Sequence, residues 1–462
     1  MLQTLIANTG LDQGILMNAL CAFLLPVLGY IYSFIPTSKA VLRHSVNIIF
    51  SATTAYIAYG LDFLKVIFIA LVYFALIKSP LYKIKNSHLI SCVILFAILI
   101  YGHIRNIMCP ECFTLHDWRS PFMLLFARLT SMSFSLKDGE KKDEDLNDHQ
   151  KIYKITPTEV PNLFKFLSFV MFFPGFCYGP APEYKDTIAA IEGTEDKIPN
   201  SKIDLRRYSM RYFPSTKKAV ILEDIGVMAV SLALNIVGAV AIDIYAVGTP
   251  EFVTDNSFIY RWFFFPRIIK FIYNAKYAFV WSASSLACTL AGFGHRESFY
   301  GYFRNLELGS FFAPNPAFCI ASWNVFISYW LRYTVVDRVP AFKTLFSFMF
   351  SGIWHGLEPC YVITFYMGAV AVIAYRKLSN ALGHYAPSKS NPWVYAFYNY
   401  ITDSLIGVSF LPFICRKTAP AIQSMKNYNF VPFIALTTIC IIPFGSKKRP
   451  VIVKQEKNLK QE

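Results

Sequence analysis

The sequence predicts an all-α protein, a polytopic transmembrane helical bundle of about 10–11 spans with bent and re-entrant helices. Three observations predict it. Hydrophobic residues make up 55% of the 462-residue chain and charged residues 16%, against roughly 25% charged in an ordinary soluble domain. Apolar runs close to the length that a helix needs to cross the hydrocarbon core recur from end to end. The 44 basic residues outnumber the 29 acidic ones and gather in short loops between those runs, where they act as topology signals and as contacts for anionic headgroups. The composition excludes a disordered chain, which needs low hydrophobicity and high charge, and it argues against a soluble multidomain enzyme. The net charge is +15, yet no basic-aromatic module is visible, so no nucleic-acid partner is expected.

The elements follow in order. A first span covers 15–35, and a basic loop with Lys39 and Arg43 comes after it. The N-terminus has no basic region before this run, which therefore reads as a retained span rather than a cleaved signal. Residues 46–77 are apolar but interrupted at Gly60-Leu61-Asp62, which predicts two short spans joined by a turn between cytosolic basic loops. The run 89–104 then places the Cys109-Pro-Glu-Cys112 loop on the lumenal side, where disulfides form. A zinc site there would need further ligands, for which His103 and His116 are the candidates, and no metal is expected. The other cysteines read as small hydrophobes.

The run 119–135 leads into a solvated polar segment, 137–160. The run 163–180 ends in FFPGFCYGPAPEYK, whose glycines and prolines forbid a continuous helix. Backbone broken at membrane depth must be buried in protein or line a cavity. The segment 199–218, with Lys202, Arg206, Arg207, Arg211, Lys217 and Lys218, reads as a cytosolic interfacial stretch. Later apolar runs cover 225–247, 257–292, 313–331, 342–375, 392–414 and 429–444, before a basic cytosolic tail at 445–462. No repeat and no soluble domain is visible, so 1–462 reads as a single membrane domain.

Polar residues inside apolar runs are costly, about 2.5–3.5 kcal/mol for a charge on insertion scales, so each suggests a site. In FCIASWNVFISYWLRY (318–333), read as one helix, Asn324, Ser328 and Arg332 form a polar stripe, and Trp323 and Trp330 share a neighbouring face. An interhelical hydrogen bond from Asn324 is the structural alternative. In FMFSGIWHGLEPCYVITF (348–365), Ser351, His355 and Glu358 lie on one helical face. Gly352 and Gly356 make a G-x-x-x-G step for close helix approach, and Pro359 bends or ends the helix. Apolar surroundings favour the uncharged imidazole, the form that accepts a proton as general base. A buried, hydrogen-bonded histidine is the alternative. Glu223-Asp224, Asp243 and Asp403 read as span ends. The H-x-x-x-x-D, G-x-S-x-G, Walker A and H-E-x-x-H signatures are absent.

At these two segments the chain resembles the membrane-bound O-acyltransferase (MBOAT) superfamily, and within it the lysophospholipid acyltransferase branch. W-N-x-x-x-x-x-W-L-[KR] is matched by Trp323, Asn324, Trp330, Leu331 and Arg332. W-H-G-x-x-P-G-Y is matched by Trp354, His355, Gly356, Pro359 and Tyr361, with Cys360 in place of glycine. LTSMSFSLKDG (129–139), the stretch 160–184 and YNAKYAFVWSASSLACTLAGFG (273–294) also resemble family segments, so the likeness is strongest over 120–375. The sterol and diacylglycerol branch is disfavoured, because Phe318 to Asn324 lacks its Asp-Trp pair.

The resemblance implies transfer of a fatty acyl group from acyl-CoA to the free hydroxyl of a lysophospholipid, inside a chamber within the bilayer. His355 would be the general base and Asn324 the positioning or polarising partner. Trp323, Ser328, Trp330, Arg332, Ser351, Trp354 and Glu358 are expected to contact substrate, with Arg332 and the 206–218 cluster toward the CoA phosphates. No metal or cofactor is required, acyl-CoA being a co-substrate. An endoplasmic reticulum membrane location is expected mainly from this likeness, since Lys460 supplies only half of a dilysine signal. The alternatives are a superfamily member acting on another lipid or on a protein hydroxyl, or a transporter or non-catalytic scaffold.

Overall fold

The computed structural model describes residues 13–110, 117–199, 216–296, 299–308, 315–382 and 391–443. Cys112, His116, the basic cluster Lys202, Arg206, Arg207 and Arg211, and the tail 445–462 lie outside the described residues. The described chain is helical, with two isolated bridges in place of any strand. In chain order the helices are α1 (Gln13–Tyr32), α2 (Ala40–Tyr59), α3 (Phe63–Lys78), α4 (Ser87–Met108), α5 (Arg119–Asp138), α6 (Asp148–Tyr153), α7 (Leu163–Val170), α8 (Tyr184–Glu192) and α9 (Lys217–Ala241). They continue with α10 (Glu251–Asp255), α11 (Phe265–Leu290), α12 (Pro316–Ser322), α13 (Val325–Trp330), α14 (Lys343–His355), α15 (Pro359–Leu382), α16 (Pro392–Cys415), α17 (Thr418–Asn427) and α18 (Val431–Ile441). Single π-helical turns, Tyr260–Phe264 and Leu331–Val336, precede α11 and follow α13.

Four stretches are long and apolar enough to cross a membrane: Ala40–Lys78, Ser87–Met108, Lys217–Ala241 and Pro359–Ala381. Many large apolar side chains on them stand exposed, among them Phe68, Val93 and Val240. On a soluble surface such a face would be a liability, and in hydrocarbon it is solvated. The chain is an integral membrane protein. The interruption read at Gly60 is present, where φ is +54° and α2 gives way to a short 3-10 turn. That backbone region favours glycine.

The break read after 170 is also present, and it is buried. Phe172 and Phe173 are fully buried, and Asn47 Oδ1 accepts from the Phe173 backbone N–H at 3.0 Å. Gly179 is pressed so close to Ser284 and the Pro174 carbonyl that a β-carbon there would sit 1.9 Å from Ser284 Oγ. Buried arginines satisfy the open carbonyls of the short helices around it. Arg128 donates to Phe169 O and to Val170 O at the end of α7, and Arg43 donates to Ile191 O and Ala190 O at the end of α8. These are the carbonyls that water would cap in a soluble protein.

Two readings of charge are corrected. Asp403 is not a span end. It is fully buried in the middle of α16, bonded to Lys270 and, at 3.2 Å, to Arg267 of α11. Asp224 is likewise buried within α9, accepting from Ser285 Oγ at 2.8 Å and paired with Arg304. Each aspartate is tolerated because a cation and hydrogen-bond donors meet it. Asp243 does lie just past the end of α9, where its carboxylate accepts from the Tyr245 N–H at 2.9 Å. Cys109 is disulfide-bonded, and Cys21, Cys177 and Cys288 are buried free thiols.

Candidate active site

The segment 316–336 is not one helix, contrary to the continuous stripe read from sequence. α12 stops at Ser322, and the chain turns at Trp323-Asn324, with Asn324 at φ +51°. Asparagine is among the few residues that visit this region readily. The break is held by Asn305, a buried loop residue. Its carbonyl accepts from the Val325 N–H at 2.9 Å and its Oδ1 from the Phe326 N–H at 3.1 Å. These bonds satisfy the open first turn of α13. Nothing in the sequence singled out Asn305, because its partners are backbone atoms some twenty residues away, a separation of 21 for Phe326.

From Asn324 onward the helical period returns, and the segment becomes a partition. Asn324, Ile327, Ser328, Leu331 and Arg332 face a large cavity, while Phe326, Tyr329, Trp330 and Tyr333 face a small one on the other side. The stripe Asn324, Ser328 and Arg332 therefore survives the break. The two tryptophans do not share a face. Trp323 lines the large cavity against Trp281, whereas Trp330 is buried behind it and donates its indole N–H to Thr130 Oγ1 at 2.9 Å.

His355 is the last residue of α14. Gly356 follows it, and a β-carbon at Gly356 would meet the Tyr361 ring at 2.5 Å. α15 then starts at Pro359, where the sequence placed the bend. A β-carbon at Gly352 would already touch Phe365 Cβ at 3.3 Å and Val362 Cα at 3.4 Å, so α14 and α15 approach closely there. The imidazole is held between Phe365, stacked at 4.8 Å, and the edge of Phe413 at 5.6 Å. Among the described residues neither ring nitrogen has a hydrogen-bond partner.

The large cavity has a volume of about 460 Å³, a size ordinary for a ligand pocket. His355, Asn324, Ser328, Arg332, Ser351 and Trp323 all line it. Asn324 Oδ1 is buried with no hydrogen-bond partner, an expensive arrangement unless a ligand supplies the donor. Trp354 and Glu358 do not line the cavity. Trp354 is buried behind His355 against Trp330, and its carbonyl contacts His103 Nε2 at 3.1 Å. Glu358 lies beyond the end of α14, off the face of Ser351 and His355, and accepts from Thr418 Oγ1 at 2.9 Å. Tyr273, Tyr277, Phe365, Phe410 and Phe413 complete the apolar wall. They lay outside the sequence reading because a ring on an apolar helix looks the same whether it packs in a core or borders a chamber.

A helical membrane protein with an imidazole and an unpaired carboxamide facing one largely apolar cavity fits a class that handles lipid chains. The profile of MBOAT, the membrane-bound O-acyltransferase family, matches residues 112–402. The chain belongs to that family of acyltransferase enzymes. It is similar to membrane-bound glycerophospholipid O-acyltransferase 1 of Homo sapiens, 24% identical over 420 residues that cover 88% of this chain and 84% of the relative. It is also similar to lysophospholipid acyltransferase 6 of Drosophila melanogaster, 29% identical over 71% of this chain and 47% of the relative. The lysophospholipid acyltransferase of Saccharomyces cerevisiae is 28% identical over 80% of this chain and 63% of the relative.

Proposed function

We propose that this protein moves a fatty acyl group from acyl-CoA to the free hydroxyl of a lysophospholipid, as one membrane domain in the endoplasmic reticulum. The observation that carries the reading is the cavity shared by His355 and the unpaired Asn324 carboxamide, and the names of the relatives point the same way. The acceptor hydroxyl attacks the thioester carbonyl while a ring nitrogen of His355 takes its proton. Asn324 donates its amide N–H to the developing oxyanion. Collapse breaks the C–S bond, and the imidazolium returns the proton to the CoA sulfur. The aromatic wall of Phe365, Phe410 and Phe413 keeps out water that would hydrolyse the thioester.

The test is release of CoA thiol by purified protein given oleoyl-CoA and a lysophospholipid, with the product identified by mass spectrometry. His355→Ala should lower turnover by at least about a hundredfold, the usual weight of a general base. Full turnover in that variant removes the base assignment, and lipid or solute transport without turnover removes the enzymatic reading.

A further inference from the structure

The rim of the cavity separates two kinds of acceptor. Of the residues that line it, three stand exposed and mark the opening: Arg332, Lys343 and Arg376. All three are cations, and among the described residues no Asp or Glu lines the cavity. Arg332 is already paired, its Nε 2.9 Å from Asp337 Oδ1. Arg376 donates to Thr344 Oγ1 at 3.2 Å, and among the described residues neither it nor Lys343 has an acidic partner. Among the described residues the rim thus carries two uncompensated positive charges above a cavity whose deeper wall is aromatic and neutral.

We infer that Lys343 and Arg376 hold the phosphate of the acceptor lipid and select headgroups without a positive charge. This rests on the acyl-transfer reading and adds the acceptor class to it. One observation favours a membrane lipid over the CoA phosphates as the occupant. Phe342, just before the first residue of α14, and Phe346 within it are 84% and 49% exposed, so the opening is bordered by a surface suited to hydrocarbon. Two cations outweigh one phosphodiester, so the excess repels a choline or ethanolamine ammonium and accepts glycerol, inositol or a further acid. Among the described residues no lining carboxylate offers an ammonium a partner.

The experiment compares lysophosphatidylglycerol with lysophosphatidylcholine of the same chain, using protein purified in a neutral maltoside and oleoyl-CoA as donor. Wild-type kcat/KM should favour the glycerol head by about tenfold, the scale of one charge-assisted contact at an exposed site. In the Lys343→Gln/Arg376→Gln variant that preference should vanish, through a raised KM for lysophosphatidylglycerol and an unchanged KM for oleoyl-CoA. Equal or reversed preference in the wild type, a preference kept in the variant, or a KM change confined to oleoyl-CoA each overturns the inference. A thermal-shift titration with the same two lipids reads the rim without turnover. A larger rise with lysophosphatidylglycerol, lost in the variant, supports the inference, and equal rises overturn it. Lipid discrimination without thiol release would sink the acyl-transfer reading while leaving the rim intact.

Discussion

At the scale of single residues, Asn324 does two jobs that substitution can separate. Its backbone occupies the left-handed region at φ +51°, and its carboxamide faces the cavity. Asn324→Gly keeps the backbone and removes the side chain, so its thermal unfolding in detergent should stay near that of wild type while turnover falls about a hundredfold. Asn324→Ala loses the same turnover and in addition about 1 kcal/mol of stability, since alanine lacks the short polar side chain that lets asparagine visit the left-handed region. Glu195 supplies a pH signature outside the membrane-spanning segments. It lies buried in the polar loop after α8, accepting from the Gly294 N–H at 2.9 Å, and burial pushes its carboxyl up to about 8. The folded state therefore holds a proton that the unfolded chain releases near pH 4.3. The stabilisation is full below about pH 4, declines as pH rises, and is gone above about pH 8. Glu195→Gln should flatten that slope in thermal unfolding followed between pH 5 and 9; an unchanged slope would show that another group sets it. Residue type marked His355 and Asn324 in the sequence, but which polar neighbours share their space did not follow from spacing alone. Glu358 fell away because α14 ends three residues earlier, at His355.

At the scale of elements, the site depends on two helix breaks and one tight pair. The break at Trp323-Asn324 aims the carboxamide, and the end of α14 aims the imidazole. Gly356 is what lets the chain leave α14 under the Tyr361 ring, 2.5 Å from where a β-carbon would stand. Gly356→Ala should therefore cost about 1–3 kcal/mol in unfolding experiments, the range for overpacking, with kcat falling as His355 shifts. Adding Tyr361→Leu should recover part of both, because it removes the ring that the methyl meets. The proline at 359 made this break legible beforehand, and the glycines at 352 and 356 marked the close approach of a second helix. The break before α13 was not legible, because WNVFISYW has no proline or glycine and reads as helix throughout. It exists because Asn305, from a distant loop, satisfies the backbone that the break opens.

At the scale of the whole molecule, buried charge ties the C-terminal helices to the rest. Asp403 of α16 meets Lys270 and Arg267 of α11, and Asp403 and Lys270 are both buried. Asp403→Ala removes the buried carboxylate that Lys270 and Arg267 meet and should lower stability by about 3 kcal/mol, whereas Asp403→Leu combined with Lys270→Met should restore much of it. Loss of the rescue in thermal unfolding would mean that the pair does more than neutralise itself. The amino-acid sequence by itself determined the membrane class, the order of apolar elements, the break at Gly60, the irregular stretch after 170 and the identity of the imidazole and carboxamide. Those follow from local hydrophobicity, backbone-restricted residues and motif spacing, which are properties of neighbours along the chain. Only the tertiary structure decided that Asn324, Ser328 and Arg332 keep one face across a broken helix, and that Trp330 and Trp354 back the site instead of lining it. It likewise decided that Asp403 and Asp224 are paired inside rather than exposed at span ends. The reason is that a polar group in a membrane chain is affordable only where a partner meets it, and the partner usually comes from a remote helix.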